Sequence, residues 1–273
     1  MPAMERAVTD HLGREVRFAY PPQRIVSLCP SLTETLLDLG LAGRVVGRTK
    51  YCIHPADRVG DIADVGGTKQ VDLDRLRSLE PDLVIAEKEE NTREQIDTIA
   101  REVPVFVVDV NDLAEALRAV RDLGELTSRR GEAMTLMDRI RVALDGVHPA
   151  LPAVKVAYLI WRNPYMAAAR HTYIDALLRR CGLVNVCAQL DGRYPEVTLE
   201  RLGELGPRFV LLASEPFPFA DGHRAEIEQA LPAMKAVGVN GELFSWYGSR
   251  LLRAAPYFNE VLRRLRGDSI TKS

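Results

Sequence analysis

Short apolar runs alternate with stretches of helical periodicity along most of this chain. Residues 24–29 (RIVSLC), 44–49 (RVVGRT), 82–86 (DLVIA) and 103–109 (VPVFVVD) are unbroken or nearly unbroken apolar runs. Runs of that length read as strands buried on both faces of a parallel sheet. Residues 33–40, 72–79, 92–101 and 113–123 carry apolar positions three and four apart and predict the helices between them. Ser31 or Thr33 offers a capping hydroxyl for the first of these, and Gly40 closes it. Gly66-Gly67 marks a loop, and Pro81 stops the second helix. The leading residues, 1–23, predict a hairpin or edge strand turning at Leu12-Gly13 and closed by Tyr20-Pro21-Pro22.

One longer element follows. Residues 127–147 (TSRRGEAMTLMDRIRVALDGV) place Met134, Met137, Ile140, Leu144 and Val147 on a single stripe. They predict one helix, capped by Thr127 or Ser128 and stopping near Gly146 before Pro149 and Pro152. About 20 helical residues reach roughly 30 Å, enough for a strut across a small domain. Beyond it the alternation resumes, with strands expected at 155–161, 184–187, 209–213 and 242–246. Helices are expected at 173–180, 199–205, 225–231 and 256–265. The pattern implies an α/β protein: two lobes with parallel sheets, joined by one long backbone helix. The expected boundaries are 1–126 for the N-terminal lobe, 127–147 for the linking helix and 148–273 for the C-terminal lobe.

The two halves echo each other. Aligned without gaps, VDLDRLRSLEPDLV (71–84) and VTLERLGELGPRFV (197–210) agree at seven of fourteen positions. Random pairing would give about one. TETLLDLGL (33–41) and YIDALLRRCGL (173–183) form a second, gapped echo in the same order. This spacing is too long for a solenoid repeat and implies duplicated lobes related by a pseudo-twofold axis, with a cleft between them.

In open α/β sheets ligands bind beyond the carboxyl ends of the strands. Those ends nominate Cys29, Ser31, Tyr51, Cys52, His54, Thr68, Lys69, Lys88, Glu89 and Asn91 in the first half. In the second half they nominate Trp161, Arg162, Tyr165, Arg170, His171, Tyr194, Trp246, Tyr247 and Arg250. The chain has only two tryptophans, and both are expected at strand ends. Aromatic walls with a few arginines suit a large, flat, partly anionic ligand.

Bulk properties narrow the function class. The 36 Lys and Arg against 38 Asp and Glu give a net charge of −2, which offers no nucleic-acid footprint. No apolar run approaches the ~20 residues of a membrane span. The N-terminal MPAMERAVTD lacks the apolar core of a secretory leader, so the sequence as it stands implies a cytoplasmic chain. Cys29, Cys52, Cys181 and Cys187 are expected as free thiols, because a core this large needs no disulfides.

Two chemical alternatives arise from the same residues. Cys52 and His54 share one face of an extended segment. With Cys29, and with His171 from the other half, they could offer sulfur and nitrogen to a metal. Alternatively Cys29, at a helix N-terminus, could become a thiolate nucleophile with His54 as base. No GxGxxG or GxxxxGK[ST] loop is present, which argues against nucleotide chemistry.

The segments RIVSLCPSLTETLLDLGL, GGTKQVDLDRLRSLEPDLVIA, the 127–147 stretch and SWYGSRLLRAAPYF resemble the helical-backbone metal-receptor group of substrate-binding proteins. These serve ABC importers of vitamin B12 and ferric siderophores. The resemblance covers nearly the whole chain. It implies two Rossmann-like lobes on one rigid helix, no catalysis, no resident cofactor, and a monomer that grips a metal chelate, either corrinoid or ferric siderophore. It implies an ABC permease dimer as partner, docked through Asp74 and Glu200, and a periplasmic or extracellular location if the start is truncated. Tyr51, Tyr194 and the loop from Trp246 to Arg250 match corrin-contacting positions, while Thr68 stands where B12 binders carry a tryptophan. A cytosolic metal or corrinoid carrier with the same clamp is the alternative function, and a Cys29-dependent enzyme the other.

Overall fold

The computed structural model describes residues 4–267. The first three and last six residues, which fall in the expected first and second lobes, lie outside them. Contacts divide the chain into two compact units. Of the described residues, the first unit holds those up to Val110, Ala114–Arg141 and Tyr247–Arg250. The second holds Asn111–Leu113, Val142–Trp246 and the described residues from Leu251 onward.

The chain opens with a hairpin of β1 (Met4–Thr9) and β2 (Glu15–Tyr20), paired antiparallel. Gly13 at φ 79° allows its turn, since that backbone conformation is costly for other residues. Then follow β3 (Ile25–Ser27), α1 (Pro30–Asp38), β4 (Val45–Arg48), α2 (Ala56–Val59), β5 (Ala63–Asp64), α3 (Leu73–Ser78), β6 (Leu83–Glu87), α4 (Arg93–Ile99) and β7 (Val105–Val108). Five of these strands form a parallel sheet in the order β5-β4-β3-β6-β7. All of β3, β6 and β7 is buried, as the unbroken apolar runs require. Two helices come next, α5 (Leu113–Leu126) and α6 (Arg130–Asp145). The main chain leaves the first unit within α6.

The second unit continues with β8 (Val154–Trp161), β9 (Met166–Ala167), α7 (Tyr173–Arg180), β10 (Leu183–Asn185), α8 (Leu199–Leu205), β11 (Phe209–Ala213), α9 (Asp221–Ala230), β12 (Lys235–Val239), α10 (Glu242–Ser245) and α11 (Leu251–Arg266). Its parallel sheet runs β10-β8-β11-β12, with β9 antiparallel on β8. The order β4-β3-β6-β7 in the first sheet and β10-β8-β11-β12 in the second is one topology used twice. In each, the crossover direction reverses between the first strand and the third.

The sequence echo has a matching structural echo. Asp72 caps α3 by accepting the Arg75 N–H at 3.0 Å, and the aligned Thr198 caps α8 by accepting the Arg201 N–H at 3.1 Å. Both helices run into a left-handed position at aligned sites, Glu80 at φ 43° two residues after α3 and Gly206 at φ 63° directly after α8. Pro81 and Pro207 then lead into β6 and β11. Likewise α1 and α7 both close on a left-handed glycine, Gly40 at φ 80° and Gly182 at φ 69°.

Several expected elements differ. The predicted helix 127–147 is broken at its start: α6 begins only at Arg130, and Ser128 sits at φ 60°. Thr127 caps nothing in α6, because its hydroxyl donates to the Leu123 carbonyl of α5 at 2.7 Å. The cause is Gly124. A Cβ there would lie 2.3 Å from the Ala133 Cβ and 2.9 Å from the Arg129 carbonyl oxygen. So α5 and α6 touch closely at a tight corner, and this corner takes up the first residues of the expected 127–147 helix. The buried stripe of α6 accordingly starts at Ala133 and Leu136, while Met134 is 55% exposed.

Residues 242–246, expected as a strand, instead form α10, so Trp246 follows a helix. The missing strand is β12, whose register along β11 runs from Lys235 to Val239. A five-residue apolar run is compatible with either state, and two flanking contacts decide it. Gly241 donates its N–H to Ser214, and Ser245 bonds back to the Gly241 carbonyl. Residues 184–187 divide into β10 and a 3-10 turn, Val186–Gln189. The last helix starts at Leu251 rather than at Pro256, which lies inside it. The first helix starts at Pro30, whose ring suits the first helical position, rather than at Ser31 or Thr33.

Gly124→Ala tests the corner. The added methyl has no room, so unfolding free energy should drop by about 1–3 kcal/mol. Gly131→Ala, which meets nothing within 4 Å, serves as control. Chemical denaturation measures both; equal midpoints for the two variants would contradict the reading.

Candidate functional site

The carboxyl ends of β3, β4 and β6 gather a floor of uncharged, proton-bearing groups in the first unit. Cys29 is the N-cap residue of α1 and is 2% exposed. The Thr33 hydroxyl lies 2.8 Å from Ser27 Oγ, 3.0 Å from the Cys29 carbonyl oxygen and 3.1 Å from Cys52 Sγ. The Thr49 hydroxyl meets the same sulfur at 3.2 Å. Cys52 is thus a packed thiol between two threonines. Burial raises the pKa of both cysteines, that of Cys29 well above the usual thiol value. The helix dipole expected to activate Cys29 is worth at most ~2 kcal/mol, whereas full burial shifts a pKa by several units. Desolvation wins, and Cys29 stays a thiol rather than a nucleophile.

The loop after β6 is built around Glu87. Its side chain accepts the N–H groups of Glu89 at 2.7 Å and Glu90 at 2.8 Å. Asn91 clamps the loop, accepting the Glu87 N–H at 2.9 Å and donating to the carbonyls of Leu28 and Thr68. Burial pushes the Glu87 pKa up to about 8, against the partial relief from the Glu90 N–H. At neutral pH this carboxyl carries its proton.

Above that floor stand the accessible candidates. Tyr51 is 51% exposed, with the Lys50 ammonium 5.1 Å from its ring centroid. His54 is half-buried. Lys88 is exposed and forms a 2.7 Å ion pair with Asp109. Lys69 donates to the Glu89 carbonyl.

The remaining first-unit candidates lie deeper. Ser31, Thr68, Tyr247 and Arg250 are all under 7% exposed. Arg250 is engaged with Glu34 at 2.8 Å, so its charge is already matched. Among the described residues, no three His, Cys, Asp or Glu side chains come together in a metal-holding arrangement, so Cys29, Cys52 and His54 of the first unit do not form one. All four cysteines are free thiols.

In the second unit the strand ends carry an aromatic face. Trp161 closes β8, is 41% exposed, and meets Phe217 edge-on at 5.7 Å. Phe217 in turn contacts Phe219 at 4.8 Å and His223 at 5.2 Å. Beside this face Tyr165 donates its hydroxyl to Glu226 at 2.9 Å, and Arg162 pairs with the same carboxylate at 2.7 Å. Tyr194 is half-buried, next to Arg193, whose guanidinium donates to Asn111. Arg170 lies 3.7 Å from Asp191. Trp246 is only 8% exposed. Phe217 and Phe219 were missed in the sequence; the EPFPF string between β11 and α9 was their only signal.

Asp74 and Glu200 occupy the second position of α3 and α8 respectively. The Asp74 side chain is 93% exposed and pairs with Arg77 at 2.8 Å. Glu200 is exposed, and hydrogen bonds from its own N–H and from Thr198 hold its carboxyl below the usual range.

The model of the family described as "Periplasmic binding protein" matches residues 25–231. The chain belongs to this family. Its members are binding proteins, not enzymes, and serve ABC importers. Among curated relatives, the vitamin B12-binding protein of Pectobacterium carotovorum subsp. carotovorum (strain PC1) is 23% identical over 242 residues, covering 86% of each chain. The vitamin B12-binding protein of Vibrio parahaemolyticus is 24% identical over 219 residues, covering 79% of each. Among solved structures, the periplasmic vitamin B12 binding protein BtuF of Vibrio cholerae superposes with a TM-score of 0.73 at 19% identity, covering 90% of this chain and 98% of that one. The periplasmic heme binding protein HutB of Vibrio cholerae superposes with 0.75 at 20% identity, covering 88% and 98%. These structures share this binding protein's fold.

The buried acid sets a pH dependence. Glu87 has a folded pKa raised from an unfolded value near 4.3. Between about pH 4.5 and 8 the folded chain keeps the proton that the unfolded chain has lost, so stability falls as pH rises. The slope is at most ~1.4 kcal/mol per pH unit. Glu87→Gln should flatten this decline, with thermal melts at pH 5 and pH 8 drawing closer together than in the parent. An unchanged difference between the two melts would refute the assignment.

Proposed function

We propose that this binding protein captures a metal chelate for ATP-driven import, with a cobalamin-like corrinoid as the leading ligand and a ferric siderophore next. The observation that carries this reading is the match to vitamin B12-binding proteins over 86% of both chains. The four-ring face of Trp161, Phe217, Phe219 and His223 supports it, because stacked aromatic edges and faces suit a flat macrocycle. The residues proposed to touch the ligand are Tyr51, His54 and Lys88 in the first unit. In the second they are Trp161, Tyr165, Tyr194, Phe217 and Phe219. Cys29, Ser31, Cys52, Thr68, Trp246, Tyr247 and Arg250 support these from beneath.

Asp74 and Glu200 are proposed to meet the permease dimer, one from each half of the duplication. Both are exposed carboxylates at equivalent helical positions, and a two-fold partner presents the same surface twice. Among the described residues, no helix is long and apolar enough to cross a membrane. The location proposed here is outside the cytoplasmic membrane, a reading that membership of the periplasmic binding protein family supports.

A titration panel of cyanocobalamin, cobinamide, haemin, a ferric hydroxamate and a ferric catecholate tests the reading, followed by absorbance and calorimetry. One corrinoid or iron chelate should bind at micromolar concentration or below, and Trp161→Ala should weaken that complex about tenfold, or ~1.4 kcal/mol. Silence across the panel would overturn the ligand class.

A further inference from the structure

Four residues of the first unit, Tyr247–Arg250, are supplied by a distant stretch of sequence and are fastened to α1 at three points. Arg250 Nε donates to Glu34 Oε2 at 2.8 Å, with both side chains at most 5% exposed. The Ser249 N–H donates to the Thr35 hydroxyl at 3.2 Å, and that hydroxyl donates onward to the Ser31 carbonyl at 2.8 Å. Gly248 sits at φ 72°, and a Cβ on it would fall 2.0 Å from Thr35 Oγ1. Only glycine permits this approach. At the head of the loop, Tyr247 is 5% exposed and reaches the Cys29 thiol on the strand-end floor.

A buried ion pair is poor as a source of stability, since desolvation cancels most of its attraction. Its value is geometric: a guanidinium and a carboxylate accept few relative orientations.

We propose that Glu34 and Arg250 are positioning residues: their ion pair seats the buried 247–250 loop on α1 and so fixes the floor that supports the proposed ligand contacts from beneath. The affinity readout rests on the chelate-binding reading; the seating itself does not. A fluorescence test separates the two. In a Trp161→Phe background Trp246, which precedes the loop, is the sole tryptophan. Arg250→Met and the double variant Glu34→Gln/Arg250→Met should both shift its emission to the red and raise its quenching by acrylamide. Arg250→Lys should recover part of the change. Thr35→Val, which removes the second fastening without stranding a charge, should shift emission in the same direction and covers the case in which the charge variants fail to fold.

With Trp161 intact, cyanocobalamin or haemin, whichever binds the parent, should bind the double variant at least tenfold more weakly while its far-UV spectrum is unchanged. A folded double variant with parental emission and parental affinity would overturn the proposal. Unshifted emission in a folded Thr35→Val would do the same. If neither chelate binds the parent, the ligand reading fails, and the emission of Trp246 alone decides the seating.

Discussion

A strand buried on both faces has no solvent side, and this constraint orders the whole molecule. Strands β3, β6 and β11 are buried along their full length. Parallel neighbours must be joined by crossovers, and each crossover brings a helix back over the sheet. The loops leaving the carboxyl ends are consequently collected along one edge of each sheet. Every candidate that is both accessible and chemically distinctive lies in such a loop: Tyr51 and His54 after β4, Lys88 after β6, Trp161 at the end of β8, Phe217 and Phe219 after β11. The grouping of these candidates follows from topology rather than from a dedicated motif.

The electrostatics of those loops differ between the two units. In the first, the floor is made of a thiol, a phenol and a protonated carboxyl, kept neutral by burial. Fixed charge is either moved outward, as in the Lys88–Asp109 pair, or matched within the protein, as in Glu34–Arg250. In the second unit rings dominate the face, and the Glu226 carboxylate beside them is satisfied by Arg162 and Tyr165. Such surfaces bind by area and shape, with little transferable proton or nucleophile. That is the chemistry of a binding protein, and it explains why the catalytic reading of Cys29 fails on physical grounds as well as by family.

Much of the fold was legible because burial leaves a periodic trace. The α3–β6 and α8–β11 modules were visible as a repeat, and their caps and left-handed termini fall at aligned positions. The misreadings came where local pattern is degenerate. Residues 242–246 are too short for periodicity to separate helix from strand, and Ser214 and Gly241 settled the matter through contacts distant in sequence. The corner between α5 and α6 hung on Gly124, whose meaning lies in a contact with Ala133 that no local window shows. The site was legible as strand ends but not as exposure. Tyr51 and Trp161 proved accessible, whereas Arg250 is committed to a partner 216 residues away in sequence.

Amide hydrogen exchange with and without a saturating chelate tests the central claim most directly, because it reports where along the chain the ligand is felt. The account predicts slowed exchange in residues 49–54, 87–91, 161–165 and 214–220, the loops at the carboxyl ends of the strands, with residues 72–79 and 198–205 unchanged. Protection centred instead on the amino ends, at residues 22–25, 80–83 and 206–209, would contradict it.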